Sequence, residues 1–360
     1  MRRCFLGLLL AFGFAGAAPT PTAAQTAATP PTAGTPAAGS PTLSEIRQRG
    51  TLRCGVFGRL PGFSAPDLEG TMRGLDADFC RAVAAAVLGS RDQVTFASSN
   101  SVDGAFADLE AGRVDVLSSN LTVTAMRDAG RNIAPVGVLL YDGQAVLVRA
   151  NDNVANFAQL DGKRVCVAAA TTDNSQSILR NAATRANITV TPVVSTQSGA
   201  SLLDGFKNGT CDAVTADAAA LATLRVTDLP DPASAILLPE RLSREPLTPF
   251  VRGSDVAWRQ IATWTLHALV AAEELGISSA TIDAALASDN NEVRFLIGLD
   301  PGLGARLGLT DTWALEAIRQ VGNYGEIFDR NLGEGSAIGL DRGLSDLWRR
   351  GGLMYPFPFR

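Results

Sequence analysis

Leu109-Glu-Ala-Gly112-Arg-Val-Asp115-Val-Leu117 is echoed downstream by Phe206-Lys-Asn-Gly209-Thr-Cys-Asp212-Ala-Val214. Each stretch reads as the last turn of a helix, a Gly suited to the left-handed C-cap, and a short buried strand. Upstream of each lies another apolar strand carrying a Cys, Leu52-Arg-Cys54-Gly-Val56 and Val165-Cys166-Val167. Two similar α/β units in one chain imply a cleft between them, and such clefts are where small ligands bind.

Working outward, the chain is an alternation of strand and helix patterns, which implies mostly parallel sheets. In the first unit, strands are expected over 52–57, 94–97 and 114–117, with helices over 76–88 and 102–109. Phe79, Val83 and Val87 recur at helical spacing and should face the core. The second unit repeats the pattern, with strands at 145–148, 164–168, 189–194 and 212–215 and helices at 154–160, 175–185 and 199–207. The chain then returns through Pro246-Leu-Thr-Pro-Phe-Val251 into a long helix, 256–275, expected to pack back on the first unit. Two crossings make a two-strand hinge. The fold class is therefore α/β: two lobes joined by a hinge, each a mostly parallel sheet flanked by helices, plus a C-terminal helical extension. In that extension a helix is expected near 312–321. A bend is expected at Gly322-Asn-Tyr-Gly-Glu-Ile-Phe-Asp-Arg-Asn331, and an aromatic-rich strap over 347–359. A short helix capped by Ser44 should open the ordered part.

The boundaries follow: 44–140 and 246–290 for lobe 1, 141–245 for lobe 2, and 291–360 for the extension. Residues 19–43 are almost entirely Ala, Pro, Thr, Gly and Ser and read as a flexible tether. Residues 1–18 read as an export signal, with cleavage as late as residue 24 as the rival end. Arg2 and Arg3 precede an apolar run, Phe5 to Phe14, too short to span a bilayer. Losing those two charges would take the formal net charge from -5 to -7. With no basic run, nucleic acid is not an expected partner. The expected location is the periplasm. Cys4 precedes the apolar run, which leaves Cys54, Cys80, Cys166 and Cys211, an even number suited to an oxidising compartment. Of the three pairings, Cys54–Cys80 with Cys166–Cys211 is favoured, because each bond then stays within one lobe and leaves the hinge free. No metal and no cofactor are expected: a zinc site would need reduced thiolates, and the only histidine is His267.

The residues that could bind a ligand lie where strands end, as in other open α/β sheets. Off the third strand of lobe 1 comes Ser118-Ser-Asn-Leu-Thr-Val-Thr-Ala-Met-Arg127. There Ser119, Asn120 and Thr122 offer hydrogen bonds and Arg127 offers a fork for a carboxylate. The bland alternative is a helix cap and a surface Arg. The equivalent point in lobe 2 is Ala168-Ala-Ala-Thr171-Thr172-Asp173-Asn174, where the next helix N-terminus adds N–H donors for an anion. Across that lobe, Ala213-Val-Thr215 runs into Asp217, a carboxylate suited to an ammonium group. An Arg on one lobe and an Asp on the other match the two charges of an α-amino acid. Phe63 could cover an apolar part of the ligand, or be core. Catalysis finds little support, because His267 lies within a helix among Trp264, Leu266 and Leu269 and reads as structural.

These residues resemble a known family. Gly74-Leu-Asp-Ala-Asp78, the two Gly-x-x-Asp strands and the Thr122-to-Arg127 segment are similar to those of periplasmic amino-acid-binding proteins of ABC importers. More narrowly, the chain resembles the general L-amino-acid-binding branch of the AapJ/BztA type. The cues are Glu273-Glu-Leu-Gly276, Val321-Gly-Asn-Tyr-Gly-Glu326, Asp329-Arg-Asn331, Arg342-Gly-Leu344 and Gly351-Gly-Leu-Met-Tyr355. The resemblance runs from about Leu43 to the C-terminus. It implies that Arg127 holds the ligand carboxylate with help from Thr122, Thr171 and Thr172, that Asp217 holds the ammonium, and that the cysteines pair within lobes. It also implies a monomer that delivers L-amino acids of broad or polar range to membrane permease subunits. Departures fall where the side chain would sit: Ala170 replaces the usual Gly, and Thr124 and Leu60 stand where relatives carry an aromatic ring. The alternatives are a periplasmic lyase or dehydratase on the same fold, using Asp217 or Asp173, and a partner that presents ligand to a sensor.

Overall fold

The chain was built as a computed structural model that describes residues 39–168, 174–195 and 200–360. The first lobe opens with α1 (Pro41–Arg49), β1 (Leu52–Val56), a small ribbon of β2 (Ala65–Pro66) and β3 (Met72–Arg73), and α2 (Leu75–Leu88). It continues through β4 (Val94–Ser98), α3 (Val102–Glu110), β5 (Val116–Leu117), α4 (Ala125–Asp128) and β6 (Ile133–Pro135). The chain crosses on β7 (Leu140–Asp142) into β8 (Gln144–Arg149), β9 (Arg164–Ala168), α5 (Ser175–Ala186) and β10 (Thr191–Ser195). The second lobe ends with α6 (Ala200–Lys207), β11 (Ala213–Asp217), α7 (Ala218–Asp228) and β12 (Ala235–Leu237). The return is β13 (Glu245–Leu247), β14 (Phe250–Arg252) and the long α8 (Val256–Glu274). The helices α9 (Asn291–Ile297), α10 (Leu303–Leu307), α11 (Trp313–Val321) and α12 (Tyr324–Asn331) follow.

Each lobe holds a five-stranded sheet, β4-β1-β5-β14-β6 in the first and β10-β9-β11-β8-β12 in the second. In each, one strand runs against the rest: β14 in lobe 1 and β8 in lobe 2. Those are the strands that follow the two crossings, so the hinge connections set their direction. The crossings themselves, β7 and β13, pair with each other, with Glu245 opposite Asp142. Gly143, just beyond β7, lets this ribbon close up: a Cβ there would lie 2.6 Å from the Ser243 carbonyl oxygen.

The echoed motif behaves alike in both lobes. Gly112 and Gly209 follow α3 and α6 with φ of 68° and 80°, a backbone conformation that side-chain-bearing residues resist. Both disulfides form within a lobe, Cys54–Cys80 from β1 to α2 and Cys166–Cys211 from β9 to the turn just ahead of β11.

One continuous core joins lobe 1 to the extension, with Phe79, Val83 and Val87 of α2 buried beside Trp258, Trp313, Tyr324 and Phe328. Charged groups fasten the extension around that core. Arg330 and Asn331 both donate to Asp78 Oδ2, at 2.9 and 2.8 Å, and Arg342 forks onto Glu273. The extension also reaches the hinge. Tyr324 Oη donates to the Leu139 carbonyl at 2.8 Å, and the Tyr141 N–H donates to the buried Ser345 Oγ at 2.9 Å. The C-terminal strap lies over α8 and the start of α11, where Phe359 packs against Trp264 and Trp313.

Three features differ from expectation. The first helix is capped by Ser40 and not Ser44: Ser40 Oγ accepts from the Leu43 N–H at 3.0 Å and donates to Asp255 at 2.8 Å. The sharp bend between helices expected in 322–331 is confined to Gly322, which separates α11 from the next helix. The rest of the stretch forms α12 through a reciprocal Asn323–Glu326 capping box. Helices α7, α9 and α10 have no counterpart in the sequence reading.

Candidate functional site

Loops from the carboxyl ends of the parallel strands supply the candidate residues, as the sequence pattern predicts. Beyond β5 the chain is held in shape by an acid on α2, Asp76. Its two oxygens accept from Ser118 Oγ at 2.6 Å and from the Asn120 N–H at 2.9 Å. Asn120 takes a φ of 41°, a conformation Asn tolerates better than most residues. Asp76 is 3% exposed, and burial pushes its carboxyl up to about 7 against the pull of those two donors. Ser119 is buried beside this turn.

Thr122 and Arg127 come next. Thr124 caps α4 by accepting from the Arg127 N–H at 3.2 Å, and Arg127 Nη1 donates to the Thr122 carbonyl at 2.8 Å. This segment is stitched to the hinge strand β13. The Val123 N–H donates to the Pro246 carbonyl, the Thr248 N–H donates to the Leu121 carbonyl, and Thr122 bridges to Leu247. Thr122 Oγ1 donates to Glu245 Oε2 at 2.7 Å.

In lobe 2, Asp217 ends β11 at the start of α7 and is half-buried. Its register partner on β8 is Gln144. The other hinge acid, Asp142, accepts from the Gly143 and Ala219 N–H groups at 2.7 and 3.1 Å, so it seats the first turn of α7 directly after Asp217. Burial pushes the Asp142 carboxyl up to about 6. The two N–H groups and Arg241 counter that shift, and Glu245 adds to it. Each hinge strand thus carries one acid that grips a candidate ligand segment, Asp142 in lobe 2 and Glu245 in lobe 1.

Thr171 and Thr172, with Ala170 and Asp173, lie outside the described residues. Phe63 is 1% exposed and belongs to the core, so of its two expected roles the structure gives the packing one. His267 is likewise structural. Its Nδ1 accepts from the Phe357 N–H at 3.3 Å, its ring stacks on Phe357, and burial lowers it to about 4.

Asp76, Asp142, Gln144 and Glu245 were not singled out from the sequence. Asp76 stood within a quoted motif, and the others are polar residues on or beside short hinge strands. At the opposite ends of the strands a groove of about 910 Å³ is lined by Arg49, Arg53 and Arg252 with Glu45 and Glu110. Arg49 and Arg53 are already paired with the buried Asp115, so the groove is not a set of uncommitted cations. Among the described residues no cluster of His, Cys, Asp and Glu could hold a metal ion, and no helix is long and apolar enough to cross a membrane.

Residues 52–275 match the family described as bacterial extracellular solute-binding proteins, family 3. The chain is 41% identical to the general L-amino acid-binding periplasmic protein AapJ of Rhizobium johnstonii, over 91% of this chain and 95% of that protein. It is 42% identical to the glutamate/glutamine/aspartate/asparagine-binding protein BztA of Rhodobacter capsulatus, over 90% of this chain and 95% of that one. Among solved structures, an ABC-transporter periplasmic binding protein from Brucella ovis with glutathione bound superposes with a TM-score of 0.81. It shares 37% identity, over 89% of this chain and 99% of the other.

Proposed function

The chain belongs to the bacterial extracellular solute-binding proteins of family 3, and on that footing we propose that it captures L-amino acids of broad or polar range between its lobes for delivery to an ABC transporter. The observation that carries this reading is the placement of an Arg-bearing loop in lobe 1 and an acid-ended strand in lobe 2 on either side of a two-strand hinge. Arg127 would take the ligand carboxylate, aided by Thr122, Thr171 and Thr172, with Ser119 and Asn120 offering further hydrogen bonds. Asp217 would take the ammonium. Burying a zwitterion is tolerable only when both charges are paired, and an Arg and an Asp on different lobes are both in place only when the lobes close. Closure also expels water, which strengthens both pairs.

In this reading residues 1–18 direct export and 19–39 tether a periplasmic monomer, the end of the tether moving from 43 to 39 because Ser40, Thr42 and Leu43 are buried in the capped start of α1. Lobe 1 spans 40–140 and 246–290, lobe 2 spans 141–245, and the extension spans 291–360. The proteins it matches are named for binding and not for catalysis. A second ligand class is favoured by one observation. Thr124 and Leu60 leave out the aromatic rings expected against a ligand side chain, which suits a longer ligand that still ends in an α-amino acid. Glutathione, held by the Brucella ovis protein, is chemically of that kind. Uptake of radiolabelled L-amino acids by cells lacking this chain tests the transport role. Loss of uptake, restored by re-expression, is expected; undiminished uptake would contradict it and favour sensing.

A further inference from the structure

Helix α7 of lobe 2 faces two cores at once. Ala218, Leu221 and Leu224 pack into its own lobe beside Phe206 and Val214. Ala219 and Ala222, one turn apart on another face, are instead buried in the core shared by lobe 1 and the extension. Their small side chains let the α7 backbone come close to what it meets there. Thr223 is on the same side: its Oγ1 donates to the Ala219 carbonyl at 2.9 Å and lies 3.3 Å from the Pro61 carbonyl of lobe 1. One turn beyond Ala222, the half-buried Arg225 donates through Nη2 to the Ile338 carbonyl of the extension at 3.4 Å.

The surface that receives α7 is itself built from two segments. Gly62 has a φ of 81°, and a Cβ there would lie 2.6 Å from Ile338 Cδ1 and 2.7 Å from Leu332 Cδ2, so this loop of lobe 1 rests directly on the extension. The extension's own loop is braced internally. The Leu340 N–H donates to the Leu332 carbonyl at 2.7 Å, the Ile338 N–H to Ser336 Oγ at 3.2 Å, and Ser336 Oγ to the Gly333 carbonyl at 2.8 Å. The Ile338 carbonyl is therefore held in place. The loop at Gly62 follows the carboxyl end of β1, and α7 follows the carboxyl end of β11. Their contact thus lies on the cleft side of the hinge, where closing makes it and opening breaks it.

We propose that residues 332–340 of the extension, with the loop 60–63 they support, form a clasp for α7, and that Arg225 is a positioning residue that holds the lobes closed without touching the ligand. The clasp is complete only in the closed form, so its free energy adds to that of any ligand the closed form holds. Weakening it must weaken all ligands by one factor and leave their ranking unchanged. The extension then sets affinity, and the residues between the lobes set selectivity. This rests on the receptor reading above for the ligand that closure serves.

The test is titration calorimetry of ligand-stripped wild type, Arg225→Ala and Ala222→Leu against the twenty protein L-amino acids. Arg225→Ala is expected to weaken every amino acid that binds by a common factor of about fivefold, through faster dissociation in stopped-flow traces with association little changed. Ala222→Leu puts bulk into the closed contact but meets only water when the lobes part. It should weaken all of them by more than Arg225→Ala does, while the melting temperature of the ligand-free protein stays put. The proposal is overturned if both variants leave affinity unchanged, if they weaken some amino acids and spare others, or if affinity falls only along with that melting temperature, as a merely structural role requires. Should Ala222→Leu fail to fold, Arg225→Ala decides alone. A wild-type protein that binds none of the twenty overturns the receptor reading but not the clasp. The clasp is then judged by the distance between spin labels at Asp92→Cys, an exposed site ahead of β4, and Asn156→Cys, an exposed site beyond β8. Arg225→Ala must lengthen that distance, and an unchanged distribution overturns the clasp as well.

Discussion

Asp76 ties the shape of the candidate ligand loop to pH. Its carboxyl is buried and raised to about 7 from an ordinary value of 3.8. The folded state therefore holds a proton that the unfolded chain has already released. Its stabilising contribution is complete below about pH 3.8 and is lost as pH rises through about 7. Between pH 5 and pH 8 the loss amounts to about 2–3 kcal/mol, at roughly 1.4 kcal/mol per pK unit. Other groups move too. Asp142, raised to about 6, has the same sign. His267, lowered to about 4 from 6.5, has the opposite sign: its contribution is lost as pH falls through its folded value. Comparing wild type with Asp76→Asn cancels both. Asparagine keeps an oxygen for Ser118 but turns an NH2 toward the Asn120 N–H, so the variant starts from a different stability. Only the change with pH matters. Urea unfolding at pH 5 and pH 8 should show the wild type losing about 2–3 kcal/mol relative to the variant as pH rises. A difference that stays constant to within about 0.5 kcal/mol, or grows in the other direction, would refute the reasoning.

Gly143→Ala would place a methyl 2.6 Å from the Ser243 carbonyl oxygen, a backbone atom that cannot swing aside. Thermal unfolding should report a loss of about 1–3 kcal/mol, and an unchanged melting temperature would contradict the close packing of the hinge. Replacing Cys166 and Cys211 together by Ala should cost about 2–5 kcal/mol of unfolding free energy. Finding four free thiols in exported protein would remove the basis for that figure. Tyr324→Phe leaves the Leu139 carbonyl without its 2.8 Å donor, at a cost of about 1–3 kcal/mol with little change in ligand affinity. Unaltered stability would show that water replaces the phenol.

What could be read from the sequence was what repeats locally. Phe79, Val83 and Val87 announce the buried face of α2, and the doubled Gly-x-x-Asp motif announces two sheets and therefore a hinge. Disulfide pairing followed from the need to keep that hinge free. Helix α7 was missed because Ala218 to Leu224 is buried around most of its circumference, so no polar face marks a helical period. Ser40 was hidden inside a tether-like composition, and the partner that marks it as a cap, Asp255, is 215 residues away. The same holds at the site. Thr122 and Arg127 stand out in a strand-end motif, whereas Asp76 and Glu245 acquire meaning only from Ser118 and Thr122, 42 and 123 residues distant. Phe63 stayed open because a loop aromatic serves a core or a ligand equally well, and burial decided it.

The central claim is that the two lobes close on the charged ends of an L-amino acid. A thermal-shift panel of amino acids, glutathione and small carboxylates lacking an amine, run on refolded ligand-stripped protein, tests it most directly. The account predicts that several L-amino acids raise the melting temperature, by the equivalent of about 2.7 kcal/mol at a hundred times Kd, and that Arg127→Ala abolishes the rise. A rise only with amine-free carboxylates, or one that survives Arg127→Ala, would contradict it.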